Sequence, residues 1–402
     1  MKHSRTFVFL ITLATAMYAP AILPGTDTTE FPWVGKWGTS TFNTSAVAVG
    51  PYWVMTARHT VGSSGNTGWK FKLDDYPDEY HSVLVVRHAT DDIALVKVDK
   101  PLPGWYEPYT GSADVGSVGT MVGYGNTGTW NGSQWQYTNS YGTKRKGTNR
   151  MTFQQFLDLG SVRGTFLIGD FDGNGIDTWG DGGPTQEEVT LGGGDSGGAT
   201  LMLVGGEHKV IGIHSWVGNV GGGPPPPQYG SIWGDIRVAA YSSFISDSMD
   251  QTAPVTDFEV IRGLHLAGGV QQMRFDDDDR LVIEARRPTE IAAASVEVEV
   301  RGATTRFNAT ELRFVLNASC TGSPSLQRIQ FFNFQQGVWE TVDERAATES
   351  DSTTVVVIVP NPQPYIQQGT GMMKARIQFH DRGVTFLAWE GRVDQAVWSV
   401  TR

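Results

Sequence analysis

Short apolar runs alternate with Gly, Asn, Thr and Asp from residue 31 to about residue 98, the pattern of brief strands joined by tight turns. Helical periodicity is nearly absent. The exception is residues 235–249, where Tyr241, Phe244, Ile245 and Met249 recur at helical spacing and predict one amphipathic helix. Residues 251–256 read as a short linker, with Pro254 unable to continue the helix. Beyond them Val296, Val298 and Val300 alternate with Glu297 and Glu299, and residues 353–359 and 373–379 are also strand-like. Period-2 patterning with little helix predicts a β-sandwich accessory domain over residues 257–402. The expected fold class is all-β in two domains, 22–250 and 257–402, which suits a chain of 402 residues.

The start of the chain has a different character. Lys2, His3 and Arg5 precede an apolar run over residues 7–17, and Ala19-Pro20-Ala21 follows. Residues 1–21 therefore read as a secretory signal removed after Ala21, and the mature protein is expected to be secreted, periplasmic or at the cell surface. No later stretch reaches the roughly 20 apolar residues of a transmembrane helix. Lys plus Arg is 31 against 42 for Asp plus Glu, and the net charge of −11 argues against nucleic acid or an anionic membrane surface as partner. Cys320 is the only cysteine, which excludes an intramolecular disulfide; its expected role is that of a small buried hydrophobe.

Candidate chemistry centres on Gly194-Asp195-Ser196-Gly197-Gly198, where glycines on both sides let the backbone present a Ser hydroxyl in a tight turn. A Ser hydroxyl is a weak nucleophile until a base takes its proton, so the turn calls for a His and a buried acid elsewhere. His59 follows the apolar run at 53–55, and Asp92 precedes Ile93-Ala94-Leu95. The order His59, Asp92, Ser196 resembles the trypsin and chymotrypsin family of serine endopeptidases. Ile22-Leu23-Pro24-Gly25 with Phe31-Pro32-Trp33 is similar to that family's mature amino terminus, and Gly212-Ile213-His214-Ser215-Trp216 to its substrate-binding strand. The resemblance covers roughly residues 22–249.

The resemblance implies a double six-stranded β-barrel ending in a helix, a polypeptide substrate, and no cofactor for catalysis. It implies His59 as general base, Asp92 as its orienting acid with Asp91 left as an exposed neighbour, and the backbone N–H groups of Gly194 and Ser196 as oxyanion donors. It further implies that a new α-ammonium at Ile22 pairs with Asp195. Thr190, Leu191, Ser215, Trp216 and Val217 fall at substrate-binding positions; with Thr190 on the pocket floor and no carboxylate there, small or medium apolar side chains are expected before the cut. Glu187, Glu188 and Asp235 lie near enough in sequence to enter the pocket from another wall, and the loop 221–227, with four prolines, is either a strut beside it or a rigid surface loop. Animal members carry cysteines where this chain has Thr60 and Gly192, which points to a bacterial origin. A catalytically silent adhesin or matrix protein, with the barrel as scaffold, is the rival reading, and the second domain is expected to bind a surface or matrix ligand.

Two acidic segments stand apart. Asp170, Asp172, Asn174, Ile176 and Asp181, with Gly175 between, match the oxygen-ligand spacing of calcium loops, a pattern also met in plain Asp-Gly and Asn-Gly turns. Ca2+ as a structural ion is one expectation and a simple turn the other. The run Asp276-Asp277-Asp278-Asp279 is expected to be a solvated acidic loop.

Overall fold

The short apolar runs near the start of the chain close into a barrel in a computed structural model, which describes residues 22–402 except 64, 139–140, 220–227, 289, 291–292, 323–324, 351–353 and 382–387. The signal reading of residues 1–21 and the proline loop 221–227 lie outside the described residues. The barrel strands are β1 (Val34–Gly38), β2 (Phe42–Gly50), β3 (Trp53–Thr56), β4 (Lys70–Lys72), β5 (Glu79–Arg87) and β6 (Ala94–Val98). They follow the order β1-β2-β3-β6-β5-β4, with β4 returning to β1. Closure draws the walls close: a Cβ at Gly35 would stand 2.6 Å from the Phe71 ring, so β1 needs a residue without a side chain there.

A nine-stranded sheet follows. Its central strands are β7 (Val118–Gly123), β8 (Arg145–Arg150), β9 (Arg163–Asp170), β10 (Ala199–Val204), β11 (Glu207–Asn219) and β12 (Ser231–Arg237), in the order β8-β7-β10-β11-β12-β9. Thr26–Asp27 extends it beyond β8, and Phe153–Asp158 beyond β9. The two ends of the central six meet where Asn149 of β8 donates to the carbonyl of Asp170 on β9 at 2.7 Å, so the sheet is curled upon itself. Ile22, Met121, Leu167, Leu191, Ile211 and Trp233 fill the space it encloses.

The expected helix is shorter than its apolar periodicity. Asp235 still belongs to β12, a 3-10 turn covers Val238–Tyr241, and the α-helix covers Ser242–Ser248. Tyr241, Ile245 and Met249 are buried as the spacing requires.

The chain divides into two compact units at Ser248 and Met249. In the second, a five-stranded sheet runs Asp257–Arg262, Val296–Ala303, Met372–Asp381, Ser325–Asn333, Val338–Ala346. A six-stranded sheet runs Leu264–Ala267, Leu281–Glu284, Glu390–Thr401, Glu311–Cys320, Thr354–Pro360, with Gln251–Pro254 added on Glu390–Thr401. Val298, Ile377 and Phe379 from one sheet and Phe314, Cys320 and Trp398 from the other meet in a single core, the packing of a β-sandwich. Glu297 and Glu299 point to the opposite face as alternation demands, yet they are largely buried, covered by Arg376, Arg301 and Lys374. The segment read as linker is therefore a strand for residues 251–254. Pro254 is tolerated because this strand has a partner on one side only.

Candidate active site

His59 sits on the 3-10 turn Arg58–Val61 that leaves β3, and Asp92 stands just ahead of β6. Antiparallel pairing of these strands, with Thr56 opposite Ala94, brings the two residues together although 33 positions separate them. Asp92 holds His59 twice, accepting from its backbone N–H at 2.8 Å and meeting Nδ1 at 2.8 Å. Ser215 Oγ donates to the same carboxylate at 2.6 Å, so Asp92 is buried with its oxygens engaged. Burial pulls the imidazole pKa down, but the charge of Asp92 and its hydrogen bond outweigh burial and leave His59 above its ordinary value. Thr60 bonds to Thr56 Oγ1 at 3.0 Å and to the carbonyl of Ala57 at 2.8 Å.

Asp91 is not the exposed neighbour that its sequence position implies. It is buried beside Arg163 (3.2 Å) and the Tyr241 hydroxyl (3.0 Å), groups contributed by β9 and by the turn before the helix. The two adjacent acids face opposite ways, and only Asp92 faces the histidine.

The Ser196 turn depends on its glycines. Gly194 and Gly197 have φ of +93° and +85°, conformations that side chains disfavour. A Cβ at Gly197 would stand 2.0 Å from Thr56 Oγ1 and 2.3 Å from the Ser45 carbonyl. Ser45 on β2 donates its backbone N–H to the Ser196 carbonyl (3.1 Å) and its hydroxyl to the Gly194 carbonyl (2.9 Å). The turn is thus packed at Gly197 against Thr56, whose hydroxyl also bonds that of Thr60 next to His59. The Gly193 carbonyl accepts from Asn126 N–H at 3.1 Å, and because a trans peptide sets N–H and C=O on opposite sides, the Gly194 N–H is turned the other way.

Asp195 is fully buried, its carboxylate accepting from the N–H groups of Gly125 (3.2 Å) and Gly192 (3.0 Å). Burial pushes it up to about 7 in spite of those bonds and the nearby His214 and Arg145 charges. Ile22 is also fully buried, in the core of the curled sheet, and Leu23 exchanges backbone bonds with Thr190 at 2.9 and 2.7 Å. The beginning of the domain is therefore tied to the segment that carries Thr190.

Thr190 and Leu191 are buried, Leu191 in the core with Ile22, and Val217 packs against that core. Trp216 lies flat on β12, where a Cβ at Gly234 would stand 2.3 Å from its indole. Of the acids near this wall, Glu188 is taken by Thr185, Asn149 and the Asp172 N–H, and Glu187 is exposed. Asp235 is fully buried and bonds Thr200 Oγ1 and, at 2.9 Å, His214 Nδ1. This second Asp–His pair escaped the sequence reading. Its one signal is a His and an Asp inside otherwise apolar strands, which only the β11–β12 register places opposite each other.

Of the five calcium-loop positions, the structure gathers Asp170, Asp172 and Asp181, each offering an oxygen within 4.8 Å of the others. Asn174 and Ile176 lie on a separate exposed tip, closed by reciprocal Gly173–Ile176 backbone bonds of 3.1 and 2.9 Å. In the second unit the acidic run 276–279 is partly exposed, as expected, but the N–H groups of Asp277 and Asp278 point to the fully buried Asp394, a residue the sequence did not single out.

The first unit thus joins a closed barrel to a curled sheet and carries an Asp-oriented His and a glycine-flanked Ser. Compared with known protein families, residues 25–245 match Trypsin, more than half of the 402 residues, and the chain belongs to the trypsin family. No curated protein matches the chain. Trypsin-family members are typically serine peptidases acting on polypeptides, and the family needs no cofactor. Among the described residues no helix is long and apolar enough to cross a membrane.

Proposed function

We propose that this protein is an exported serine endopeptidase that cleaves peptide bonds through Ser196, His59 and Asp92. The observation that carries the reading is the double hold of Asp92 on His59. It engages Nδ1 and the backbone N–H, which leaves Nε2 as the nitrogen available to a hydroxyl on a ring still one-third exposed. In the proposed reaction Ser196 Oγ attacks the scissile carbonyl while His59 Nε2 takes its proton. The imidazolium, stabilised by Asp92, returns that proton to the leaving amine, and water repeats the sequence on the acyl-enzyme. The oxyanion is received by the N–H groups of Gly194 and Ser196, where loss of one such donor typically costs about 3 kcal/mol.

Small or medium apolar side chains before the cut are expected to meet Thr190, Ser215, Trp216 and Val217, while Leu191 is packed in the core with Ile22. Asp235 and Glu188 are committed to other partners, which leaves a guanidinium no counter-charge from either. Removal of residues 1–21 would free an α-ammonium at Ile22, and a neighbouring cation would favour the charged form of Asp195, which burial pushes up to about 7. The Asp170–Asp172–Asp181 cluster has no part in this chemistry.

A fluorophosphonate probe tests the assignment against the silent-scaffold reading, because an unactivated Ser does not react. The expected result is a covalent adduct on Ser196 of exported protein whose sequence starts at Ile22, and no adduct in Ser196→Ala. Failure of the parent to label would remove the catalytic assignment, and a labelled chain starting elsewhere would remove the Ile22 pairing.

A further inference from the structure

Asp170 and Asp172 are both almost completely buried, at 2% and 3% exposure, and Asp181 completes the group from the far end of the loop. Their surroundings do little to balance three carboxylates. Asp170 Oδ2 accepts from the N–H groups of Thr178 (2.8 Å) and Trp179 (3.0 Å), and Asp181 Oδ2 accepts from Thr152 Oγ1. Arg150 Nε lies 3.8 Å from Asp181 Oδ1, beyond hydrogen-bond distance. Glu188 and the exposed Asp177 add further negative charge around Asp172. Asp172 Oδ1 is shut off from solvent and, among the described residues, no N–H or O–H donor reaches it; the Asp172 carboxyl instead lies against that of Asp170. A carboxylate oxygen left buried and unpaired costs several kcal/mol in a folded protein, so this is a place where a ligand is missing from the balance of charges.

We infer that Asp170, Asp172 and Asp181 form a binding site for a hard divalent cation of the calcium class, with the enclosed Asp172 Oδ1 among its ligands. The donor atoms are all carboxylate oxygens, the set that calcium prefers and that zinc or copper does not. Opposite ligands of a calcium held at about 2.5 Å stand roughly 5 Å apart, and the three oxygens here fall within 4.8 Å. The site is not the linear calcium loop that residues 170–181 spell out, since the Ile176 carbonyl is used by Gly173 and Asn174 is at the exposed tip. It is instead assembled between the end of β9 and the returning loop. The inference stands apart from the catalytic reading, because it concerns binding and stability alone.

Terbium(III) binding to the full chain provides the test, since Trp179 adjoins Asp170 through its backbone and can sensitise terbium emission. We expect tryptophan-excited terbium luminescence that calcium displaces and that Asp172→Asn abolishes. Calcium at about 100 times its Kd should raise the melting temperature of the parent by roughly 5–10 °C over chelator. In chelator, Asp172→Asn should melt no lower than the parent, because it removes an unpaired buried charge, and it should gain nothing from calcium. Should that variant not fold, Asp181→Asn takes its place in the luminescence comparison. Coincident melting curves of the parent in calcium and chelator, or terbium emission undiminished in the variants, would overturn the site and leave a proton shared between Asp170 and Asp172.

Discussion

One domain holds two Asp–His pairs of nearly equal geometry and opposite circumstance. His59 meets Asp92 at 2.8 Å with its side chain one-third exposed, and His214 meets Asp235 at 2.9 Å with both residues fully buried. Both imidazoles are held above their ordinary pKa, burial acting against the shift and the partner carboxylate prevailing. What separates them is the second nitrogen. The Nε2 of His214 is enclosed within the protein, turned to the backbone of Val122, whereas the side chain of His59 is one-third exposed. The pairing of acid and imidazole sets basicity and tautomer, and access decides whether the base can act on anything.

The largest contrast should come from neutralising each acid. Asp92→Asn should lower kcat by about 10⁴ with folding retained, because the wrong tautomer of His59 is then favoured. Asp235→Asn should instead cost about 3–5 kcal/mol of stability, as a broken buried pair does, while the folded fraction keeps kcat within roughly tenfold. Denaturant titration and kcat measured on both variants decide this, and an Asp235→Asn enzyme that folds well yet is inactive would erase the distinction between the pairs.

A smaller effect tests whether Asp235 is truly held by His214 and not by substrate. Peptide-library profiling should show cleavage after Ala, Val or Leu at least roughly tenfold faster than after Arg, since an unpaired guanidinium is strongly disfavoured in a closed pocket. Dominance of Arg or Lys before the cut would mean that an acid reaches the pocket after all.

The finest test is the pH profile. The proposed mechanism needs neutral His59, so kcat/KM should fall about tenfold per unit on the acid side, with a midpoint above the ordinary 6.5. The stability contribution of the same pair has the opposite sense. It is complete below pH 6.5, where the folded and unfolded imidazoles are both protonated, and is lost as pH rises through the raised folded value. His214→Gln, which can still bond Asp235, should leave the acid midpoint in place. A midpoint that moves with His214 would assign the titration to the wrong pair.

These pairs also mark where sequence reading reaches its limit. The Ser196 turn is legible because its glycines are local requirements, and His59 and Asp92 are legible because each adjoins a strand that the apolar pattern reveals. The burial of Asp91 is not legible in the sequence, because Arg163 and Tyr241, which enclose it, are 72 and 150 positions away and burial created by distant partners leaves no local trace. His214 and Asp235 are 21 positions apart and become a pair only through register. The proline of Gln251–Pro254 suggests a linker by sequence, although an edge strand tolerates one. The alternation of Val296, Val298 and Val300 gave the sandwich directly, since one-faced burial imposes period 2 on its own residues.

Ser45 gives the site a mechanical dependence. It belongs to the first barrel, yet its backbone N–H and hydroxyl hold the carbonyls of Ser196 and Gly194, and its hydroxyl accepts from Tyr124 N–H at 3.0 Å at the end of β7. His59 and Asp92 ride on one half of the domain and Ser196 on the other, so this residue works as a fastener across the seam between them. On the proposed mechanism, cleavage is accordingly a property of the joined halves and of neither alone: a partly opened molecule keeps both sheets intact and yet does not turn on its own chain or its neighbours.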